Sequence, residues 1–104
     1  MVEVNVKVVW TDQAIKQVNQ IAEYIALESS NQAHRIVKLI FDTTKRLEKF
    51  PEVGAVVPEL EDQTIREVLV YSYRIIYQWF KKDREVRVLG VIHAARLLNW
   101  DLFR

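Results

Sequence analysis

The chain has 104 residues, of which half are hydrophobic and 28% are charged. This length and composition predict one soluble globular domain, spanning residues 1–104, with room for a single two-layer core. The chain has no cysteine, which excludes disulfides and thiolate metal sites and agrees with a reducing cytoplasm. The formal net charge of +1 predicts no general affinity for nucleic acid.

The hydropathy pattern excludes two further classes of protein. No apolar stretch approaches the roughly 20 residues that a membrane-spanning helix needs. The first residues, Met1 to Lys7, alternate between apolar and polar side chains, unlike the continuous apolar region of a secretory signal. We therefore expect a cytoplasmic protein that makes no membrane contact.

The first half of the chain predicts a strand followed by a helical hairpin. Alternating valines at positions 2–8 have the period of a strand with one buried face. Thr11 offers an N-cap for a first helix, and apolar residues then recur at helical spacing. The Ser-Ser-Asn sequence at positions 29–31 ends this helix and can cap a second one. Because the connection is short, the two helices over residues 11–49 must be antiparallel.

The second half predicts three strands, over residues 65–70, 73–80 and 85–93. A helical hairpin with one apolar stripe per helix can cover only one face of a sheet. We therefore predict an α+β fold in the order βααβββ, in which the hairpin packs on one face of a mostly antiparallel four-stranded sheet. The other face is expected to stay open and to carry the function. The acidic run at positions 59–62 is expected to form a solvated loop.

Arg74 is the most informative residue, because it lies inside the apolar and aromatic strand Tyr73-Arg74-Ile75-Ile76-Tyr77. Burying an unpaired guanidinium costs several kcal/mol. Arg74 therefore either pairs with a carboxylate such as Glu67 or lies on an open sheet face that meets an anion. Strand alternation predicts that Arg74 shares this face with Arg87 and His93 of the last strand.

Four short motifs follow one another with characteristic spacing: Phe50-Pro51-x-x-Gly54, Ile65-Arg66-Glu67, the Arg74 strand, and Val91-Ile92-His93-x-x-Arg96. From about Val4 to Arg96, the chain resembles the RelE/ParE toxin superfamily, which includes plasmid stabilisation proteins. The resemblance implies a cytoplasmic, growth-arresting toxin of a type II toxin–antitoxin pair. It also implies a hetero-oligomer with a cognate antitoxin protein, and neither a cofactor nor a metal.

The resemblance leaves two branches open, and the RelE-like branch cuts mRNA on the ribosome without a metal. In that case the catalytic residues are Arg74, beside the scissile phosphate, and His93, as general acid or base, with Glu67 as a possible base. The residues expected to hold flanking phosphates or a partner are Arg66, Arg96 and Trp100. The chain departs from the best-known nucleases, since it lacks their lysine-rich strand and has no tyrosine after Arg96.

The ParE-like branch poisons DNA gyrase and needs a protein-binding surface instead of nuclease residues. The apolar chain end suits such a surface, and the residues predicted to bind the antitoxin or the target are Leu97, Leu98, Leu102 and Phe103. Packing of this segment on the helices is the alternative. The near-neutral charge and the missing lysines favour the ParE-like branch. A third hypothesis is a non-toxic module whose open sheet face docks a partner helix.

Overall fold

The computed structural model describes residues 5–96 and 98. Its elements in chain order are β1 (Lys7–Trp10), α1 (Asp12–Ala26), α2 (Ser30–Arg46), β2 (Ala55–Val56), β3 (Ile65–Val70), β4 (Tyr73–Phe80) and β5 (Glu85–His93). The predicted α+β fold is therefore confirmed. The sheet has five strands instead of four, because the two-residue strand β2 adds an edge. Positions 2–4 of the predicted first strand lie outside the described residues.

Each helix begins at a side chain that satisfies a free backbone N–H group. The Thr11 hydroxyl accepts a hydrogen bond from the Ala14 N–H at 3.1 Å, and the Ser29 hydroxyl accepts one from the Gln32 N–H at 3.1 Å. Ser29 follows α1 so closely that α2 must return alongside it, which produces the predicted hairpin. Among the described residues, neither helix is long and apolar enough to cross a membrane.

The strand order is β1-β5-β4-β3-β2, with β1 parallel to β5 and all other pairs antiparallel. The β1 pairing ends where Trp10 lies beside Val88, so among the described residues no strand lies beside the second half of β5 on this side. Helix α1 covers this exposed edge of β5. The Gln17 Oε1 atom accepts a hydrogen bond from the Val91 N–H at 2.8 Å. The sheet edge is thus closed by a helix side chain.

The helices and the sheet enclose the main core. Buried residues of α1 and α2 contact buried residues of the sheet, in a cluster of Ala14, Val18, Ile36, Ile40, Val70, Ile75, Val88 and Val91. A neighbouring cluster on the same face surrounds Tyr77 and Trp79. Each helix contributes one apolar stripe to this layer, as its sequence period predicts.

The opposite sheet face is covered, which corrects the expectation that it stays open. A second apolar cluster lies there, made of Val57, Leu60, Ile65, Ile76, Ile92 and Leu98. Three of these residues come from the central strands, and the loop after β2 and the described part of the chain end cover them. The physical reason is that a row of isoleucines on this face must also be removed from water.

A β-bulge changes the alternation of β5. Ile76 pairs with Gly90 but Tyr77 pairs with Val88, so Leu89 is an extra residue on the β5 side. Because one inserted residue shifts the side-chain parity, residues beyond the bulge exchange faces relative to those before it. His93 therefore pairs with Tyr73 and lies on the helix-covered face.

Candidate functional site

Arg74 lies at the centre of a buried ion-pair network on the face opposite the helices. Its side chain is only 7% exposed and donates to both carboxylate oxygens of Glu59, at 2.7 and 2.9 Å. Its Nε donates to Glu67 at 3.1 Å, and its Nη2 also donates to Glu67. The remaining bond runs from Nη1 to the Arg96 carbonyl oxygen at 3.1 Å. These contacts use all five N–H donors of the guanidinium.

Glu59 connects this network to the chain end. One of its oxygens accepts a hydrogen bond from the Leu98 N–H at 3.1 Å in addition to the bond from Arg74. The hydrogen bonds from Arg74 lower the pKa of Glu59 to about 2, against the opposing effect of burial, and the Leu98 N–H adds to this lowering. Arg74 and Glu59 together therefore fix the loop after β2, strand β3 and the described chain end to one another.

The geometry decides between the two alternatives that the sequence left for Arg74. The guanidinium pairs with carboxylates of its own chain, Glu67 as suggested and Glu59 in addition. The expectation of a solvated loop at positions 59–62 is wrong for Glu59, whose side chain is 19% exposed. The sequence signal for Glu59 is its position beside Leu60, which anchors the loop in the second apolar cluster.

His93 does not share a face with Arg74, which corrects the sequence-based prediction. Arg74 pairs with Ile92 across the strands, whereas His93 pairs with Tyr73 on the other face. The His93 and Tyr73 rings meet edge to face, with centroids 6.0 Å apart, and the His93 Nδ1 accepts a hydrogen bond from the Ala95 N–H at 3.2 Å. The parity shift at the β5 bulge is the cause of this separation.

His93 instead lines an open groove between α1 and the ends of β4 and β5. The groove has a volume of about 530 Å³ and is lined on the α1 side by three glutamines and Tyr24. Tyr73, His93 and Arg96 line its sheet side. The described lining residues include one imidazole and one guanidinium, but no carboxylate. The groove therefore offers hydrogen-bonding groups and positive charge to a ligand.

Arg66 lies on the helix side of the sheet, where it pairs with Tyr77. Its Nη1 donates to the Glu52 carbonyl oxygen at 3.1 Å and to the Gly54 carbonyl oxygen at 2.8 Å. Arg66 thus binds the backbone of the loop that follows α2. It does not lie beside Arg74, as a shared phosphate site would require.

The predicted residues of the chain end divide into two groups. Leu98 is buried at 6% exposure in the second apolar cluster, so the expectation that it presents a free binding surface is wrong. It packs on the sheet face opposite the helices, not on the helices themselves. The other predicted residues of this segment lie outside the described residues: Leu97, Trp100, Leu102 and Phe103.

A family comparison covers most of the chain. The model described as "ParE toxin of type II toxin-antitoxin system, parDE" matches residues 8–98. A curated relative, Toxin RelE2 of Caulobacter vibrioides, is 31% identical over 91 residues, which are 88% of this chain and 98% of the relative. The family-model match includes the Arg74 strand and the groove residues on β5.

Solved structures share the fold at low sequence identity. The chromosomal ParDE system of P. aeruginosa matches with a TM-score of 0.69 and 20% identity, over 85% of this chain and 95% of that one. The toxin–antitoxin complex RelBE2 of Mycobacterium tuberculosis matches with a TM-score of 0.66 and 20% identity, over 86% and 99%. A mutant of E. coli toxin RelE in the free state matches with a TM-score of 0.62 and 17% identity, over 88% and 86%.

Proposed function

This chain belongs to the ParE toxin family of type II toxin–antitoxin systems, and we propose that it arrests growth by binding DNA gyrase. In this proposal the toxin acts through a protein contact and needs no chemical step of its own. A cognate antitoxin protein binds and neutralises it. The resemblance of the sequence to the ParE-like branch is the starting point, and the geometry around Arg74 supports it.

The observation that carries the proposal is the complete engagement of the Arg74 guanidinium. Metal-free RNA cleavage needs a base for the 2′-hydroxyl, a cation for the charge on phosphorus and an acid for the leaving oxygen. Arg74 has no donor left for a phosphate while Glu59 and Glu67 hold it. His93, the predicted acid or base, lies on the opposite face of the sheet. This arrangement favours a binding function.

The charge of the chain supports the same conclusion. Proteins that bind nucleic acid through phosphate contacts gain much of their affinity from clustered positive charge. This chain has a formal net charge of +1. Two of the arginines expected to contact phosphates, Arg66 and Arg74, donate instead to groups of their own chain. Binding to a protein target does not require the clustered positive charge that binding to ribosomal RNA requires.

The antitoxin partner is supported by the solved relatives, one of which is a toxin–antitoxin complex. We expect this chain to form a hetero-oligomer with its own antitoxin. Arg96 is exposed at the groove, so acidic residues of the antitoxin can reach it.

Ribosome-dependent mRNA cleavage is the second candidate function. The observation that favours it is the groove in which His93 and Arg96 lie together. An imidazole can transfer a proton near neutral pH, and a guanidinium can stabilise charge on phosphorus. In this case the cleavage site is the groove, and Arg74 has a structural role.

Two assays on one protein preparation test the proposal. Purified toxin is added to DNA gyrase in a supercoiling assay, and to ribosomes translating a defined mRNA. We expect supercoiling to be inhibited, the antitoxin to reverse this inhibition, and the mRNA to remain intact. Cleavage of the mRNA that is lost in the His93→Ala variant would overturn the proposal in favour of the nuclease. Normal growth of cells that express the chain without antitoxin would favour the non-toxic binding module.

A further inference from the structure

The last residues of β5 turn alternate backbone groups towards β4 and towards α1. The Ala94 N–H donates to the Ser72 carbonyl oxygen at 2.7 Å, so the N–H and C=O groups of Ala94 and of every second residue back to the bulge face β4. The groups of Val91 and His93 therefore face the opposite way. The bond from the Val91 N–H to Gln17 of α1 agrees with this orientation.

Two of the groups that face α1 have no partner in the described part of the chain. Gln17 satisfies the Val91 N–H, and the Arg96 N–H donates to the His93 carbonyl oxygen at 3.0 Å. The Val91 C=O and the His93 N–H have no hydrogen-bond partner within residues 5–96 and 98. Strand β1 ends before it reaches them. Both residues line the groove, so an extended segment that lies there can pair with this edge.

The His93 ring adds a hydrogen-bond donor to the groove. Its Nδ1 accepts a hydrogen bond from the Ala95 N–H at 3.2 Å, so this nitrogen carries no hydrogen. The hydrogen of the neutral ring is therefore on Nε2, which is the nitrogen left for a ligand. The exposed Arg96 guanidinium contributes further donors and a positive charge, and the described lining residues include no carboxylate. This set of donors suits a carboxylate as ligand.

We propose that the groove binds an extended acidic segment of the antitoxin. The backbone of the segment pairs with the Val91 C=O and the His93 N–H. One of its carboxylates accepts hydrogen bonds from the His93 Nε2–H and the Arg96 guanidinium. A peptide supplies both N–H and C=O groups at the spacing of a strand, whereas the phosphate oxygens of a nucleic acid only accept hydrogen bonds. The unpaired Val91 C=O needs a donor, which favours a peptide over RNA.

The antitoxin is the protein partner that the family supports. The chain matches the model of a toxin from a type II toxin–antitoxin system, and one solved relative is a toxin–antitoxin complex. The inference rests on the antitoxin part of the proposed function and not on gyrase as the target. It therefore holds for a gyrase inhibitor and for a nuclease alike.

The first test measures the affinity of the purified toxin for its antitoxin by titration calorimetry. Arg96→Gln removes the charge, so Kd should rise by about tenfold or more. His93→Asn keeps an acceptor for the Ala95 N–H but loses the distal donor, whereas His93→Gln keeps a distal donor. We expect Kd to rise by about fivefold or more in His93→Asn and to stay within about threefold in His93→Gln. Arg35→Gln, at an exposed arginine of α2 outside the groove, is the charge control and should stay within about twofold.

The second test follows amide hydrogen exchange in the wild type, free and bound to the antitoxin. The His93 N–H should exchange fast in the free toxin, and at least about tenfold more slowly in the complex, because it gains an acceptor there. The Val91 N–H, which already bonds to Gln17, is the internal control and should be slow in both states. This measurement needs no substitution, so it decides the question if a variant proves unstable.

The outcomes of these tests separate the possible occupants of the groove. Unchanged antitoxin affinity in Arg96→Gln and His93→Asn, or fast exchange at His93 in the complex, would overturn the proposal. Variants that bind the antitoxin normally but no longer inhibit gyrase would overturn it in favour of the target, and loss of mRNA cleavage alone would do so in favour of RNA. A wild type that leaves gyrase active contradicts the gyrase assignment, whereas slower His93 exchange in its antitoxin complex still supports the groove.

Discussion

Glu59 and Arg74 form a two-pronged ion pair in which each carboxylate oxygen accepts one guanidinium N–H, at 2.7 and 2.9 Å. The Arg74 side chain is 7% exposed and the Glu59 side chain 19%, so water screens the pair poorly. Removing one partner of a buried ion pair leaves an uncompensated charge. The resulting loss of stability is much larger than the net stabilisation that the intact pair provides. The pair is therefore a point at which one substitution has a large effect.

Replacing Arg74 by methionine is expected to destabilise the fold strongly. Methionine keeps much of the buried stem but leaves the carboxylates of Glu59 and Glu67 without their cation. We expect the free energy of unfolding to fall by about 3–5 kcal/mol, measured by urea denaturation at pH 7.

The control for this substitution is Lys38→Met. Lys38 forms an ion pair with Asp42 at 3.0 Å, but the two side chains are 79% and 50% exposed. We expect a loss below about 1 kcal/mol at this site. Equal losses in the two variants would contradict the buried network.

The stability of the protein is expected to depend on Glu59 at acidic pH. The pKa of Glu59 is lowered from 4.5 to about 2 by the bonds from Arg74. A lowered folded-state pKa means that its stabilisation is fully present above about pH 4.5 and is lost as the pH falls towards 2. The contribution is at most about 3 kcal/mol. Unfolding free energies measured across this range should fall less steeply in Glu59→Gln than in the wild type.

Glu48→Gln serves as the matched control, because Glu48 is exposed near the end of α2 and has no ion-pair partner among the described residues. Its pH profile should parallel that of the wild type. If Glu59→Gln also follows the wild-type curve between pH 4.5 and 2, the bond to Arg74 does not contribute as described.

The helices and the three long strands could be predicted from sequence because apolar residues recur at the period of each element over most of its length. The sheet face on which His93 lies could not be predicted from sequence. Val86 and Val88 alternate regularly before the bulge and His93 fits a regular alternation after it, so the sequence does not mark where the alternation shifts. Only the pairing with β4 reveals that Leu89 is inserted. A glycine inside a strand, here Gly90, often accompanies a β-bulge, but it does not show which residue is inserted.

The cover on the second face was also beyond sequence reasoning. Loop residues carry no period, so the apolar Val57 and Leu60 indicate that part of this segment is buried but not that it folds onto the second face of the sheet. The prediction for Arg74 correctly included an ion pair with Glu67, which lies on the adjacent strand β3. Glu59 was missed because a contact 15 residues away depends on the path of the loop.

Gln17 is expected to stabilise the sheet edge through a single hydrogen bond. Its Oε1 accepts from the buried Val91 N–H at 2.8 Å, at a point that β1 does not reach. Gln17→Ala leaves this donor unsatisfied and should lower the free energy of unfolding by about 1–3 kcal/mol. Faster amide hydrogen exchange at Val91 would report the same loss locally.

Gln20→Ala is the control on the same helix, since Gln20 is exposed and makes no hydrogen bond with its side chain among the described residues. We expect its stability to stay within about 0.5 kcal/mol of the wild type. Slow exchange at Val91 in Gln17→Ala would mean that the backbone N–H has found another acceptor.

Gly54 is expected to tolerate no side chain, because two parts of the fold approach it closely. A Cβ at this position would lie 2.6 Å from the Tyr77 hydroxyl and 2.7 Å from the Glu67 carbonyl oxygen. Gly54→Ala should therefore reduce the free energy of unfolding by about 1–3 kcal/mol in urea denaturation. The Glu67 oxygen belongs to the backbone of β3, which pairs with Ala55 of β2 and cannot move alone.

The double variant Gly54→Ala with Tyr77→Phe separates the two contacts. Tyr77→Phe removes the hydroxyl from the path of the new methyl group, but also removes the acceptor of the Gly54 N–H, which is 2.9 Å away. Because the contact with the Glu67 backbone remains, we expect the double variant to stay less stable than Tyr77→Phe alone. Equal stability of these two variants would mean that the hydroxyl was the whole obstacle and that the approach of β3 to Gly54 imposes no constraint.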